Sequence, residues 1–208
     1  MDKSKRRTYW DTFESSYQMG DQKHRLYLLD LLLGKDVHGI FDVGCGTGPI
    51  YEIIKRRNYP FSYKGTDYSP AMIDVAKQSF PEAFWEVQDA RHLTEIDNSW
   101  DCVLLMHCLD HLDDYQAAIR EAARVSRKYV CIVLWRSFVA EGVHLNSRNM
   151  MGKLEGEEPW EDTYLQEYSK KTLEDEFAKN GLVIESVAEG ETINEPNRYN
   201  FLYLLRKE

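Results

Sequence analysis

The run Asp42-Val43-Gly44-Cys45-Gly46-Thr47-Gly48 sets three alternating glycines directly behind a short apolar stretch. Glycines at such a turn let the backbone fold tightly and let a ligand approach without meeting a Cβ. The free N–H groups at the start of a following helix favour an anionic group. Dinucleotide enzymes use a related turn, G-x-G-x-x-G. Here the spacing is G-x-G-x-G, an acid precedes the first glycine by two positions, and Pro49 stands where the dinucleotide pattern wants its third small residue. These details turn the reading away from a nicotinamide dehydrogenase.

Further acids follow at strand ends. Asp67, 25 residues after Asp42, closes a second strand and is placed to accept from both hydroxyls of a ribose. Ser69 already serves as cap of the next helix, which frees Asp67 from that task. Tyr68 and Met72 put an aromatic ring and a thioether where a purine face would rest, although Met72 suits core packing equally. In Gln88-Asp89-Ala90 the carboxylate is suited to an adenine amino group. Trp100 to His107 delivers polar groups at the end of a buried strand. Ligands of open α/β sheets bind at that edge, so four strand tips are expected to converge on one crevice.

His107 and His111 lie one helical turn apart, but no third ligand stands at matching spacing, and no metal is expected. His107 is the candidate general base and faces the crevice; His111 reads as structural. Asp110, Asp113 and Asp114 read as helix-capping and solvated groups.

The elements that must position these residues follow from an alternation of short apolar runs with helical periodicity. It predicts βαβ units and a doubly wound, mostly parallel sheet. Strands are predicted at 39–43, 61–66, 84–87, 101–106 and 129–135. Helices are predicted over about 49–57, behind Ser69 with Pro70 at the first position, behind Asp113 as cap, and over 170–180 with Gly181 as the stop. Two last strands, 182–187 and 199–205, are joined by too few residues for a helical crossover, so the final one is expected to run antiparallel. Residues 136–168 lack a clean period and read as a long loop, a functional or mobile element facing the acceptor, with Trp135, Arg136, Phe138 and Trp160 offering it an aromatic, partly polar wall.

Taken together, Phe41 to Gly48, Gly65 to Met72, Asp89-Ala90, and Asp101 through His111-Leu112 resemble the four ordered motifs of the class I S-adenosylmethionine-dependent methyltransferases of the type 11 group. The likeness runs from about Ile40 to Val133. It implies a seven-stranded, Rossmann-like sheet with an antiparallel C-terminal strand and S-adenosylmethionine as cofactor. Gly44, Cys45 and Gly46 would line its methionine portion, with Asp42 and Gly48 completing the loop. Asp67 would hold the ribose, Tyr68 and Met72 would flank the adenine, and Asp89 with Ala90 would meet its amino group. Met106 would offer a backbone carbonyl near the amino end. In similar enzymes an aromatic N-terminal segment, here Tyr9 to Phe13 with Tyr17, folds over the cofactor as a lid. The alternative for that segment is packing on the sheet edge.

Bulk properties bound the remaining choices. The 208 residues suit one methyltransferase domain, with 1–34 as lid and helix and 136–168 as a substrate-side insertion. A net charge of −9 disfavours nucleic acid and anionic membranes as partners. Neither an Asp/Asn-Pro-Pro-aromatic motif nor a Pro-Cys pair follows the fourth strand, which argues against DNA-base methylation. The four cysteines form no framework and suit free thiols in a reducing cytosol, so a cytoplasmic location is expected. A small-molecule acceptor is the expectation. The alternatives are a non-catalytic cofactor-binding module and a protein or RNA methyltransferase.

Overall fold

The computed structural model describes residues 23–134, 141–146, 165–192 and 195–208. Helix α1 (Lys23–Leu33) leads into β1 (Gly39–Val43), α2 (Pro49–Arg57), β2 (Ser62–Asp67), α3 (Pro70–Ser79), β3 (Phe84–Val87) and β4 (Trp100–Met106). A 3-10 turn at Leu109–His111 precedes α4 (Tyr115–Val125) and β5 (Ser126–Leu134). Two short strands, β6 (Val143–Asn146) and β7 (Leu165–Tyr168), come before α5 (Lys170–Lys179), β8 (Leu182–Thr192) and β9 (Glu195–Lys207).

The main sheet has seven strands in the order β3-β2-β1-β4-β5-β9-β8. Neighbours from β3 to β5 pair in parallel, and β9 runs antiparallel to both β5 and β8. The doubly wound expectation with an antiparallel last strand therefore holds. Strand order reverses between β1 and β4, the point where such sheets open a crevice at their C-terminal edge.

Period-2 alternation divides the central strands between two cores. Phe41, Val43, Val103 and Leu105 face α4 and α5, whereas Ile40, Cys102, Leu104 and Met106 face α1, α2 and α3. Both faces are covered, which is why β1 and β4 read as nearly continuous apolar runs. Asp42 breaks the run on the α1–α3 face and is 1% exposed. All four cysteines are free thiols. Among the described residues, no helix is long and apolar enough to cross a membrane.

Several boundaries differ from the sequence expectations. Asp114, not Asp113, caps α4: its side chain accepts from Ala117 N at 3.0 Å. Asp113 is occupied elsewhere, accepting from Arg91 Nη1 at 2.8 Å, a partner 22 residues away that local patterning does not reveal. Strand β5 begins at Ser126, directly after α4, because Ser126 pairs with Trp100. The final hairpin is longer than 182–187 and 199–205, since pairing extends to Thr192↔Glu195. Within the supposed loop 136–168, β6 and β7 form an antiparallel pair. Tyr168 anchors it, buried at 3% exposure, with its hydroxyl donating to Leu109 O at 2.7 Å. Trp135, Arg136, Phe138 and Trp160 lie outside the described residues.

Candidate active site

The glycine turn is tied to the neighbouring strand by its backbone. Gly44 N and Cys45 N both donate to Thr66 O, at 2.8 and 2.9 Å. Gly46 N donates to Asp67 Oδ2 at 2.8 Å, and Ser69 N donates to Asp67 Oδ1 at 3.0 Å. Gly44, Gly46 and Gly48 adopt φ of 79°, 56° and 88°, in the left-handed region. A Cβ added at Gly46 would meet nothing within 4 Å, so the turn presents open backbone to the cleft. At Gly48 the same atom would lie 2.6 Å from the Trp85 ring. Gly48 therefore packs against Trp85, which stands among Tyr51, Tyr63 and Phe80.

One cleft runs along the C-terminal edge from this turn. It brings together Asp42, Gly44, Cys45, Gly46, Asp67, Tyr68, Met72, Asp89, Ala90, Met106 and His107 from the sequence expectations. Gly48 is not among the lining residues, and its part is to start α2 and seat the turn. Tyr9 and Tyr17 lie outside the described residues. His111 lines the cleft as well, rather than being purely structural. Ser69 caps α3 as expected, accepting from Met72 N at 3.3 Å.

The electrostatics differ from place to place. Burial raises the Asp89 carboxyl, but hydrogen bonds from Arg91 outweigh it and hold the group below the usual carboxylate range. Those bonds come from Arg91 Nε at 2.8 Å and Nη2 at 2.7 Å, a bidentate pair. Arg91 Nη1 then reaches Asp113, so one guanidinium links the loop after β3 to the start of α4. Asp42 behaves oppositely. Burial pushes its carboxyl up to about 6, against a hydrogen bond from Tyr63 and the charge of Arg25.

At the tip of β4, His107 is 9% exposed with φ of 54°, uncommon for a residue with a side chain. Its Nε2 lies 3.2 Å from His24 Nε2, and the two rings meet edge to face. A hydrogen bond between them requires one ring to carry its proton on Nε2 and the other on Nδ1. Burial holds His107 well below its ordinary value, with His24, Arg25 and His111 adding to the effect. His24 is lowered to about 3 by burial and by Arg25. Both imidazoles are thus neutral at pH 7.

Sequence reasoning missed Arg25, Tyr63 and Arg91. Arg25 lines the cleft at 4% exposure. A signal existed: Arg25, Leu28, Leu29 and Leu32 form one i, i+3, i+4, i+7 stripe, and the three leucines are fully buried. A lone arginine on a buried stripe points into a polar site or an ion pair. Tyr63 and Arg91 carry no comparable local signal, because their partners are set by strand pairing and by a distant turn.

Comparison with known proteins agrees with the fold and the turn. Residues 41–133 match the model of a family described as a methyltransferase domain. The demethylmenaquinone methyltransferase of Thermotoga maritima is 25% identical over 134 residues, 64% of this chain and 56% of that protein. The ajmaline N-methyltransferase of Rauvolfia serpentina is 30% identical over 106 residues, 48% of this chain and 36% of that protein. The chain thus spans about half or less of these relatives' lengths. The crystal structure of magnesium protoporphyrin IX methyltransferase from Synechocystis PCC 6803 with bound SAH superposes with a TM-score of 0.72 at 17% identity, each chain fully covered. In its seven-stranded order, its glycine turn and these matches, the chain is similar to the class I S-adenosylmethionine-dependent methyltransferases.

Proposed function

We propose that the cleft binds S-adenosylmethionine and that the chain transfers its methyl group to a small organic acceptor. The observation that carries this reading is the gathering of Asp67, Asp89 and Arg25 in one cleft with the Gly44–Gly46 turn, whose backbone is open at Gly46. Asp67 is the ribose partner: its two oxygens accept from Gly46 N and Ser69 N, which fixes the carboxyl at the tip of β2. Asp89, oriented by Arg91, meets the adenine amino group beside Ala90. Tyr68 and Met72 flank the base. Arg25 meets the methionyl carboxylate, and Met106 offers a carbonyl near the amino end.

The cofactor supplies a methyl group on a cationic sulfur, open to in-line displacement. The protein's own work is alignment and exclusion of water. A neutral His107 suits a neighbouring sulfonium and is the candidate base. Its low basicity fits an acceptor whose proton is already acidic, such as a phenol or a hydroquinone, rather than an aliphatic alcohol. A small-molecule acceptor is also favoured by the relatives named for demethylmenaquinone and ajmaline, and by the net charge of −9, which disfavours nucleic acid.

Thermal shift with S-adenosylmethionine, S-adenosylhomocysteine, NAD and NADP tests the cofactor. Ligand at about 100 times its dissociation constant stabilises by about 2.7 kcal/mol. The two sulfur nucleosides are expected to raise Tm and the dinucleotides to leave it unchanged; a response to NAD alone overturns the reading. Transfer of labelled methyl to a panel of hydroquinones, phenols and amines then tests the acceptor class. Binding without turnover on any of them would favour a non-catalytic module.

A further inference from the structure

Asp42 projects from the middle of the sheet into the α1–α3 core. Its Oδ2 accepts from the Tyr63 hydroxyl at 2.7 Å. Its Oδ1 is buried and has no hydrogen-bond partner among the described residues. An unmatched buried carboxylate oxygen is costly, and Asp42 and Tyr63 are 1% and 5% exposed. Asp42 nonetheless lines the cleft, beside the turn where a methionyl chain would lie.

We propose, on the reading that the cleft takes S-adenosylmethionine, that Tyr63 is a positioning residue: its phenol pins one oxygen of Asp42 so that the other is held ready for the methionyl ammonium group. The division of labour is geometric. Tyr63 is 5% exposed and wedged by Tyr51 and Trp85, with ring centroids 5.2 and 5.4 Å away. Its hydroxyl therefore has a fixed place, and the carboxylate cannot turn without losing that bond. A carboxylate fixed by one donor meets an incoming cation with less ordering to supply at the moment of binding.

A pH dependence follows from the surroundings of Asp42. Arg25 faces it from α1, Cys45 from the glycine turn, Tyr63 and Asp67 from β2, Cys102 from β4, and Cys108 from the turn beyond β4. The thiols are pushed further up by burial, and the phenol likewise, so all of these stay neutral. Among the described residues, Arg25 lowers the Asp42 carboxyl through its charge and Asp67 raises it. Burial dominates and leaves the carboxyl titrating near 6, while the Tyr63 hydrogen bond and Arg25 oppose the rise. An ammonium ligand needs the ionised form, so its binding must weaken as pH falls through that range. Without the phenol the weakening must start at higher pH.

Calorimetry separates this proposal from the reading it rests on. Titrations with S-adenosylhomocysteine and with 5′-methylthioadenosine, which lacks the amino-acid chain, are run at pH 7.5 and pH 6.0. In the native protein, S-adenosylhomocysteine should bind roughly twofold more weakly at pH 6.0, and methylthioadenosine equally at both. In Tyr63→Phe the first ratio should grow to roughly fivefold or more, with the second still flat. Fluorotyrosine incorporation makes the phenol a stronger donor without removing it. It should move the acid limb to lower pH, which keeps the proposal testable if Tyr63→Phe does not fold. Parallel pH curves for the two ligands, or limbs unmoved by both changes at Tyr63, would overturn the proposal and leave the cofactor reading standing. Failure of the native protein to bind either nucleoside would remove both.

Discussion

The two ends of the cleft handle charge in opposite ways. At the end where we place the nucleoside, two backbone N–H groups hold the Asp67 carboxyl and a bidentate guanidinium holds that of Asp89. At the end where we place methyl transfer, Asp42 and His107 are buried and His24 is half-buried, and burial opposes the charged form of each. The Asp67–Asp89 end is held in place by hydrogen bonds from the protein itself. The transfer end holds an unfavourable desolvation that a bound zwitterion would relieve. Stability and binding are therefore expected to respond differently to substitutions at the two ends.

The largest contrast is predicted at Asp42. Its carboxyl is raised from 3.8 to about 6, so its favourable contribution to folding is full below pH 3.8 and is lost as pH rises through about 6. Asp42→Asn should thus stabilise the ligand-free protein at pH 8, by up to about 3 kcal/mol, and not at pH 4. Urea denaturation at the two pH values measures this. The same variant should lose affinity for S-adenosylhomocysteine, so stability and binding change in opposite directions.

Asp67→Ala should act the other way, weakening cofactor binding roughly ten- to a hundredfold while also loosening the turn that it holds through Gly46 N. Unchanged affinity would mean that the ribose lies elsewhere. Arg25→Gln sharpens the comparison between ends. It should weaken S-adenosylhomocysteine roughly tenfold and leave 5′-methylthioadenosine unaffected, because only the former carries a carboxylate. The smallest effect belongs to a cap outside both ends. Asp114→Ala should cost about 1 kcal/mol of stability, with cofactor affinity unchanged.

The Asp67–Asp89 end of the cleft was legible in the sequence because its signals are local. A glycine turn, a strand-ending acid and a capped helix sit within short stretches whose periodicity names their elements. Asp67, Tyr68, Met72 and Asp89 all reach the cleft for that reason. The transfer end was less legible. His107 was visible as a polar residue at a strand tip, but its partner His24 lies 83 residues earlier on a helix that reads simply as apolar. Tyr63 looks like an ordinary strand aromatic until β2 is paired with β1. The register, Ile40↔Tyr63 and Asp42↔Gly65, puts Tyr63 on the same face as Asp42. Asp113 and Asp114 show a finer limit, since either fits a capping pattern and Arg91 decides between them. Strands β6 and β7 are four residues each, too short to carry a period that a sequence reading can find.

The most direct test of the central claim is a crystal structure with S-adenosylhomocysteine bound. The ribose hydroxyls should lie within hydrogen-bond distance of Asp67, the adenine amino group near Asp89, and the methionyl ammonium against Asp42 with its carboxylate on Arg25. A nucleoside lodged away from the Gly44–Gly46 turn, with Asp67 and Asp42 untouched, would contradict the account.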